Sequence, residues 1–211
     1  LTKRYGTFTA VDGLDLQVQE GEIFGILGPN GAGKTTTLEM IEGLRVPDGG
    51  SISVDGIDAV RDSDRVRKII GVQLQTTSLF EYLTASELIE LFCGLYDVES
   101  SSDRIASLLQ SVNLEEKAKA QVSALSGGQR QRLSITLALV NNPRVVFLDE
   151  PTTGLDPVAR RDLWHVIRDV RARGTTVVLT THYMEEAEVL CDRVAVMDRG
   201  KVVACDTPGA L

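Results

Sequence analysis

The sequence predicts an α/β fold: a mostly parallel sheet, an antiparallel β part near the N-terminus and an inserted α-helical lobe. Three observations predict it. Short apolar runs alternate along the chain with stretches of helical spacing. The middle of the chain carries helical periodicity without a strong strand pattern. The length, 211 residues, suits one domain that can bury its own core.

Taken in order, residues 14–18 alternate with period two, as a half-buried strand does. Residues 22–27 form a nearly continuous apolar run that ends in Gly28, a pattern for a buried strand. Helical spacing covers 33–41, and Gly43 stands where a C-terminal cap glycine belongs. Residues 51–54 read as a strand followed by the turn dipeptide Asp55-Gly56. Thr84 and Glu87 have capping-box spacing and open a helix to Tyr96, with Leu88, Leu91, Phe92 and Leu95 following at intervals of three and four. A further helix spans 102–112, with Ile105, Leu108, Leu109 and Val112 on one face. The alternation then returns: helix 126–140, strand 145–149, helix 158–171, strands 175–180 and 193–197, and an edge strand near 202–204. One domain is expected, with a core of 1–75 and 126–211 and a helical lobe of 76–125.

Composition narrows the function. The formal net charge is −8, which disfavours a nucleic-acid-binding surface and gives no reason to expect such a partner. No apolar run approaches the roughly 18 residues of a membrane helix, so a membrane role is expected to come through a partner. Cys93, Cys191 and Cys205 lack CxxC spacing, and two histidines, His165 and His182, do not make a zinc site. The chain opens at Leu1 and stops at Leu211 in mid-pattern, and is read as a piece of something longer.

Three motifs carry chemistry. Gly28-Pro29-Asn30-Gly31-Ala32-Gly33-Lys34-Thr35 matches the P-loop pattern, in the right context between a strand and a helix. Its backbone amides and helix start suit phosphate oxygens, Lys34 suits the β- and γ-phosphates, and the Thr35 hydroxyl suits Mg²⁺. Val145-Val146-Phe147-Leu148-Asp149-Glu150 is a buried strand ending in two acids. Such an ending puts them at the carboxyl edge of the sheet, Asp149 as Mg²⁺ holder and Glu150 as general base. Leu125-Ser126-Gly127-Gly128-Gln129 offers Ser126 as an N-cap and two glycines just inside a helix, where they cost stability. Either this is a capped helix with a loose start, or it is a second phosphate-binding helix N-terminus.

With these residues in order, the chain strongly resembles the nucleotide-binding domain of ABC (ATP-binding cassette) transporters over essentially its whole length. Gly28–Thr35 resembles the family's P-loop, Leu125–Gln129 its signature and Val145–Glu150 its Walker B strand. Thr153-Gly154-Leu155-Asp156 is similar to the D-loop, and Thr180-Thr181-His182 to the switch histidine. Tyr5 resembles the aromatic that stacks on adenine. The family's glutamine-loop residue is Gln75 by alignment with Ile70-Gly71 and Leu79, with Gln73 as the alternative; period-two alternation puts both on one face.

The resemblance implies an ATPase that binds ATP and Mg²⁺ and pairs head to tail with a second copy. Each ATP would lie between one copy's P-loop, with Lys34, Thr35 and Thr36, and the other's Ser126, Gly127, Gly128 and Gln129. Gln75 would contact Mg²⁺ or water, Asp149 and Thr35 would hold the metal, Glu150 would act as base and His182 would sense the γ-phosphate. A separate transmembrane permease subunit would hold the protein at the cytoplasmic face of the membrane. Gly71–Gln75 and Thr181-His182-Tyr183-Met184-Glu185-Glu186-Ala187-Glu188 resemble bacterial drug-efflux ATPase subunits of the daunorubicin-resistance type, which points to export. An importer ATPase, a soluble cassette ATPase in translation or repair, and a small-molecule P-loop kinase are the alternatives; the kinase would not need Leu125–Gln129.

Overall fold

The computed structural model describes residues 1–74 and 79–211. In chain order the elements are β1 (Lys3–Tyr5), β2 (Phe8–Val11), β3 (Ile23–Leu27), α1 (Lys34–Ile41), β4 (Ser53–Val54), β5 (Ile57–Asp58), α2 (Ser63–Ile69) and β6 (Ile70–Gln73). There follow α3 (Ala85–Leu95), α4 (Ser102–Gln110), α5 (Gly127–Ala138), β7 (Val145–Asp149), α6 (Pro157–Ala172), β8 (Thr176–Thr181), α7 (Met184–Leu190), β9 (Arg193–Asp198) and β10 (Lys201–Asp206).

The main sheet has the order β10-β9-β3-β8-β7-β6. Its strands run parallel except for the β9–β10 edge hairpin. Two small antiparallel ribbons, β1–β2 and β4–β5, precede the helical stretch. Strand alternation splits the core in two. Ile23, Leu27, Val146, Leu148, Val177 and Leu179 face a layer made by α3 to α7. Phe24, Ile26, Phe147 and Val178 face α1, α2 and the ribbons. With helices on both faces, the parallel strands read as continuous apolar runs, which is why 22–27 and 145–149 were legible.

Local signals explain several boundaries. Thr84 and Glu87 exchange both capping-box bonds at the start of α3, as their spacing predicts. Asp55 and Gly56 both have positive φ, the geometry of a type I′ hairpin turn, and join β4 to β5. One expectation fails: 14–18 is not a strand. Leu14 alone in that segment exchanges backbone hydrogen bonds with Leu1. Leu14 and Leu16 nonetheless pack on the core, so burial of alternate residues without a ladder produced the alternation. Other bounds move too, and the helix expected over 126–140 ends at Ala138. The strand expected at 51–54 shrinks to two residues, the helix expected to reach 112 ends at Gln110, and the edge strand near 202–204 lengthens to six residues.

Candidate functional site

The register sets the site. Asp149 pairs with Thr180, Leu27 with Thr181 and Gln73 with Leu148, so the carboxyl ends of β3, β6, β7 and β8 lie level. The P-loop leaves β3, Glu150 leaves β7 and His182 leaves β8, all at that edge. Open parallel sheets bind ligands there.

The P-loop closes tightly on its neighbours. A Cβ on Gly28 would lie 2.4 Å from the Met197 carbonyl oxygen. Gly33, the N-cap of α1, has φ 101°, and a Cβ there would lie 2.4 Å from the Ala10 carbonyl oxygen. Only glycine satisfies both demands. Lys34 is 4% exposed and donates to the carbonyl oxygens of Gly28 (2.8 Å) and Pro29 (3.2 Å). Its Nζ also lies 3.3 Å from Glu150 Oε1. The Thr35 hydroxyl donates to Asp149 Oδ2 at 2.9 Å, and the Thr180 hydroxyl donates to Asp149 Oδ1.

Glu150 is 8% exposed and sits in the left-handed region with φ 47°, uncommon for a residue with a side chain. Its N–H donates to Thr180 Oγ1 (2.9 Å), and its Oε2 accepts from the Thr153 hydroxyl (3.1 Å). His182 Nδ1 lies 3.2 Å from the same Oε2, within ion-pairing reach but off the direction of a hydrogen bond. Burial is the largest single influence on this carboxyl and would raise its pKa. The hydrogen bond and charge of Lys34, the Thr153 hydroxyl and the imidazole outweigh burial, so the group titrates below the ordinary carboxylate range.

A cleft of about 310 Å³ opens over the loop, lined by Tyr5, Phe8, Ala10, Asn30, Gly31, Gly33, Lys34, Thr35, Thr36 and Glu150. The structure thus joins Tyr5 to the P-loop across 25 residues of chain. Phe8, directly opposite Tyr5 in the β1–β2 ribbon, shares the cleft and was not foreseen. Thr153 and Thr180, which hold the two acids, were also missed as contributors; only their places beside Asp149 and Glu150 could have signalled them. Gly28, Pro29 and Ala32 belong to the loop backbone and do not line the cleft.

Ser126–Gln129 lies apart, outside that cleft. Ser126 Oγ accepts from the Gln129 N–H, and Gln129 Oε1 accepts from the Ser126 N–H, so both side chains serve a capping box. The two glycines differ. A Cβ on Gly128 would lie 2.9 Å from the Ala159 Cβ of α6, so packing explains that glycine. A Cβ on Gly127 would meet nothing within 4 Å, and nothing among the described residues explains its bareness. Gln75 lies outside the described residues. Gln73 is buried, donates from Nε2 to the Leu74 carbonyl oxygen at 2.6 Å, and among the described residues its Oε1 has no hydrogen-bond partner. His165 is exposed on α6.

Thr35 Oγ1 and Asp149 converge as hard oxygen donors, a donor set that fits Mg²⁺. A loop of backbone amides opening a helix, with a buried ammonium behind it and an aromatic ring beside it, suits a nucleoside triphosphate. Comparison with known proteins agrees. The family model described as ABC transporter matches residues 11–153. Nod factor export ATP-binding protein I of Ralstonia nicotianae is 46% identical over 213 residues, covering 100% of this chain and 66% of that protein. The protein of the same name from Burkholderia orbicola is also 46% identical, covering 99% of this chain and 69% of its own length. The chain therefore spans about two thirds of these relatives. Among solved structures, a dimeric post-hydrolysis ATP-binding cassette bound to ADP and Pi superposes with a TM-score of 0.85 at 31% identity, over 98% of this chain and 95% of that one. CbiO1 of Clostridium perfringens, part of an ABC transporter complex, superposes with a TM-score of 0.88 at 29% identity, over 100% of this chain and 87% of that one. The P-loop, the paired acids and these likenesses agree: the chain belongs to the ABC transporter family as its ATP-binding, ATP-hydrolysing domain.

Proposed function

We propose that two copies of this domain close head to tail around two MgATP molecules and so drive a separate membrane subunit that exports a small molecule. The observation that carries the dimer is Gly127. It stands at the exposed start of α5, where an added Cβ would meet nothing within 4 Å among the described residues, and a bare helix start offers amides and partial positive charge to an anion from outside. The P-loop of one copy would bring that anion to α5 of the other. Mg²⁺, held by Thr35 and Asp149, would neutralise phosphate charge. Lys34 binds phosphate oxygens, Tyr5 stacks on the base, and Glu150, ionised at neutral pH, takes the proton of the attacking water. His182 touches Glu150 Oε2 and is placed to meet the γ-phosphate.

Export rests on the relatives' names, and no narrower cargo follows from them. Among the described residues no helix is long and apolar enough to cross a membrane, which supports a separate membrane partner at the cytoplasmic face. The test of the dimer is Gly127→Asp. An acid in the first turn favours the helix but faces the incoming phosphate. In a Glu150→Gln background, light scattering with MgATP should show dimers, and Gly127→Asp should abolish them while each copy still binds ATP. Mixed with Lys34→Ala chains, the Gly127→Asp chains should form at most one working site per dimer. Unchanged dimerisation and turnover in Gly127→Asp would reduce the segment to a helix cap.

A further inference from the structure

We propose that Arg160 and Tyr183 are positioning residues for His182, acting by stacking rather than by touching nucleotide; this rests on the reading of His182 given above. Three groups are in series. The His182 and Tyr183 rings have centroids 4.1 Å apart and are tilted by 40°. The Arg160 guanidinium carbon lies 4.3 Å from the Tyr183 ring centroid. His182 Nδ1 in turn lies 3.2 Å from Glu150 Oε2. A half-buried imidazole that makes no well-directed hydrogen bond at Nδ1 needs another restraint on its ring, and the stack supplies one.

Two features separate this stack from incidental packing. Tyr183 occupies the N-cap of α7, where Ser, Thr, Asp or Asn would satisfy the helix, and it makes no side-chain cap bond there. Its backbone N–H is instead held by Thr181 Oγ1 at 3.0 Å, which fixes the turn that carries both rings. Among the described residues, Arg160 Nε is buried without a hydrogen-bond partner. An N–H that gives up hydration without gaining an acceptor is partly compensated when its cation lies over the face of an aromatic ring.

The stack has a firm base. Arg160 lies in the first turns of α6, next to Ala159, which packs against Gly128 of α5. One turn further on, Trp164 Nε1 donates to the buried Glu186 Oε1 of α7 at 3.0 Å. Helix α6 therefore grips the start of α7 at Tyr183 and again at Glu186, and the His182 ring is set by a helix that also abuts the segment facing the second copy.

The test uses the intact gene product, with steady-state ATPase kinetics and MgATP affinity measured on the same preparations. Tyr183→Leu and Arg160→Met should each lower kcat by about ten- to a hundredfold, the scale of a small misplacement of a catalytic group, with ATP affinity unchanged. Tyr183→Phe and Arg160→Lys, which keep ring and cation, should restore most of kcat. In a His182→Ala background, Tyr183→Leu should cost nothing more. If Tyr183→Leu is as costly there as in the parent, or if it and Arg160→Met leave the parent's kcat intact while His182→Ala does not, the positioning role is overturned and the reading of His182 stands. If His182→Ala itself leaves turnover intact, that reading falls and the proposal with it. Should Tyr183→Leu fail to fold, Arg160→Met and its lysine rescue carry the same comparison.

Discussion

Glu150→Gln separates a general base from a structural acid, and the structure gives three expected effects. The first is on chemistry. An amide cannot accept a proton, and loss of a general base costs about 10²–10⁴-fold in turnover. At 1.36 kcal/mol per decade this is about 3–5 kcal/mol of barrier. The second is on binding. Glu150 Oε1 lies 3.3 Å from Lys34 Nζ, so the carboxylate competes with phosphate for the same ammonium. Removing its charge frees Lys34, which keeps its bonds to the Gly28 and Pro29 carbonyls. Bonds to charged groups contribute about 1.5–3 kcal/mol, so ATP affinity should hold or rise, by about tenfold at most if half of that is recovered. The third is on stability. Gln can still accept from Thr153, and the lost ion pair should cost on the order of 1 kcal/mol.

Phosphate release, ATP calorimetry and thermal unfolding on one preparation measure all three. Turnover that stays near the parent's would remove Glu150 from the chemistry. Lost ATP binding together with a large drop in melting temperature would make Glu150 a structural partner of Lys34.

Lys34→Ala should abolish or severely weaken ATP binding by calorimetry. It should also destabilise the fold, by less than the about 3–5 kcal/mol of a fully buried pair broken on one side, because His182 remains beside Glu150. Glu42 is 3% exposed, and burial first, then the charges of Asp149 and Glu39, push its carboxyl from the ordinary 4.5 up to about 8. The unfolded chain loses that proton first, so stability should fall as pH rises from about 5 to about 8 and level off above, by at most about 5 kcal/mol. Glu42→Gln should flatten that fall in denaturant midpoints taken at pH 5, 6.5 and 8. A Cβ on Gly71 would lie 1.8 Å from the Ala138 carbonyl oxygen, so Gly71→Ala should push α5 off β6 and lower the melting temperature markedly; an unchanged melt would contradict that packing.

The sequence made legible what short-range chemistry dictates. The strands of 22–27 and 145–149 are apolar because both sheet faces are covered, and the caps at Thr84 and Ser126 are local bonds three residues apart. Less legible was whatever depends on partners distant in the chain. Helix α2 opens at Asp62 with no side-chain cap bond and buries only Val66, so neither its start nor its face shows in one dimension. Phe8 enters the cleft because a two-residue turn folds β2 back on β1. Thr180 reaches Asp149 and the Glu150 amide only through the β7–β8 register. The signature glycines show the limit most clearly. They are neighbours in sequence, yet Gly128 is fixed by Ala159 and Gly127 by nothing among the described residues.

The carboxyl end of the sheet holds more acid than base, and the way each acid is relieved supports the role proposed for it. Asp149 and Glu150 are adjacent, and Glu42 lies close enough for Asp149 to influence its proton. Against these three carboxyls stands one buried ammonium, Lys34. Glu42 is relieved by keeping its proton up to about pH 8. Glu150 is relieved by Lys34, with His182 and Thr153 beside it, and stays ionised. Asp149 has two hydroxyls, Thr35 and Thr180, and among the described residues no ammonium or guanidinium pairs with it. Hydroxyls satisfy lone pairs and supply no charge. The acid that still lacks a counter-charge is therefore the one beside the P-loop hydroxyl, where a divalent cation on the phosphates would stand. Glu150, whose counter-charge a phosphate can draw away, is the one left to accept a proton. On the proposed reading, the division between metal holder and base matches which acid Lys34 reaches.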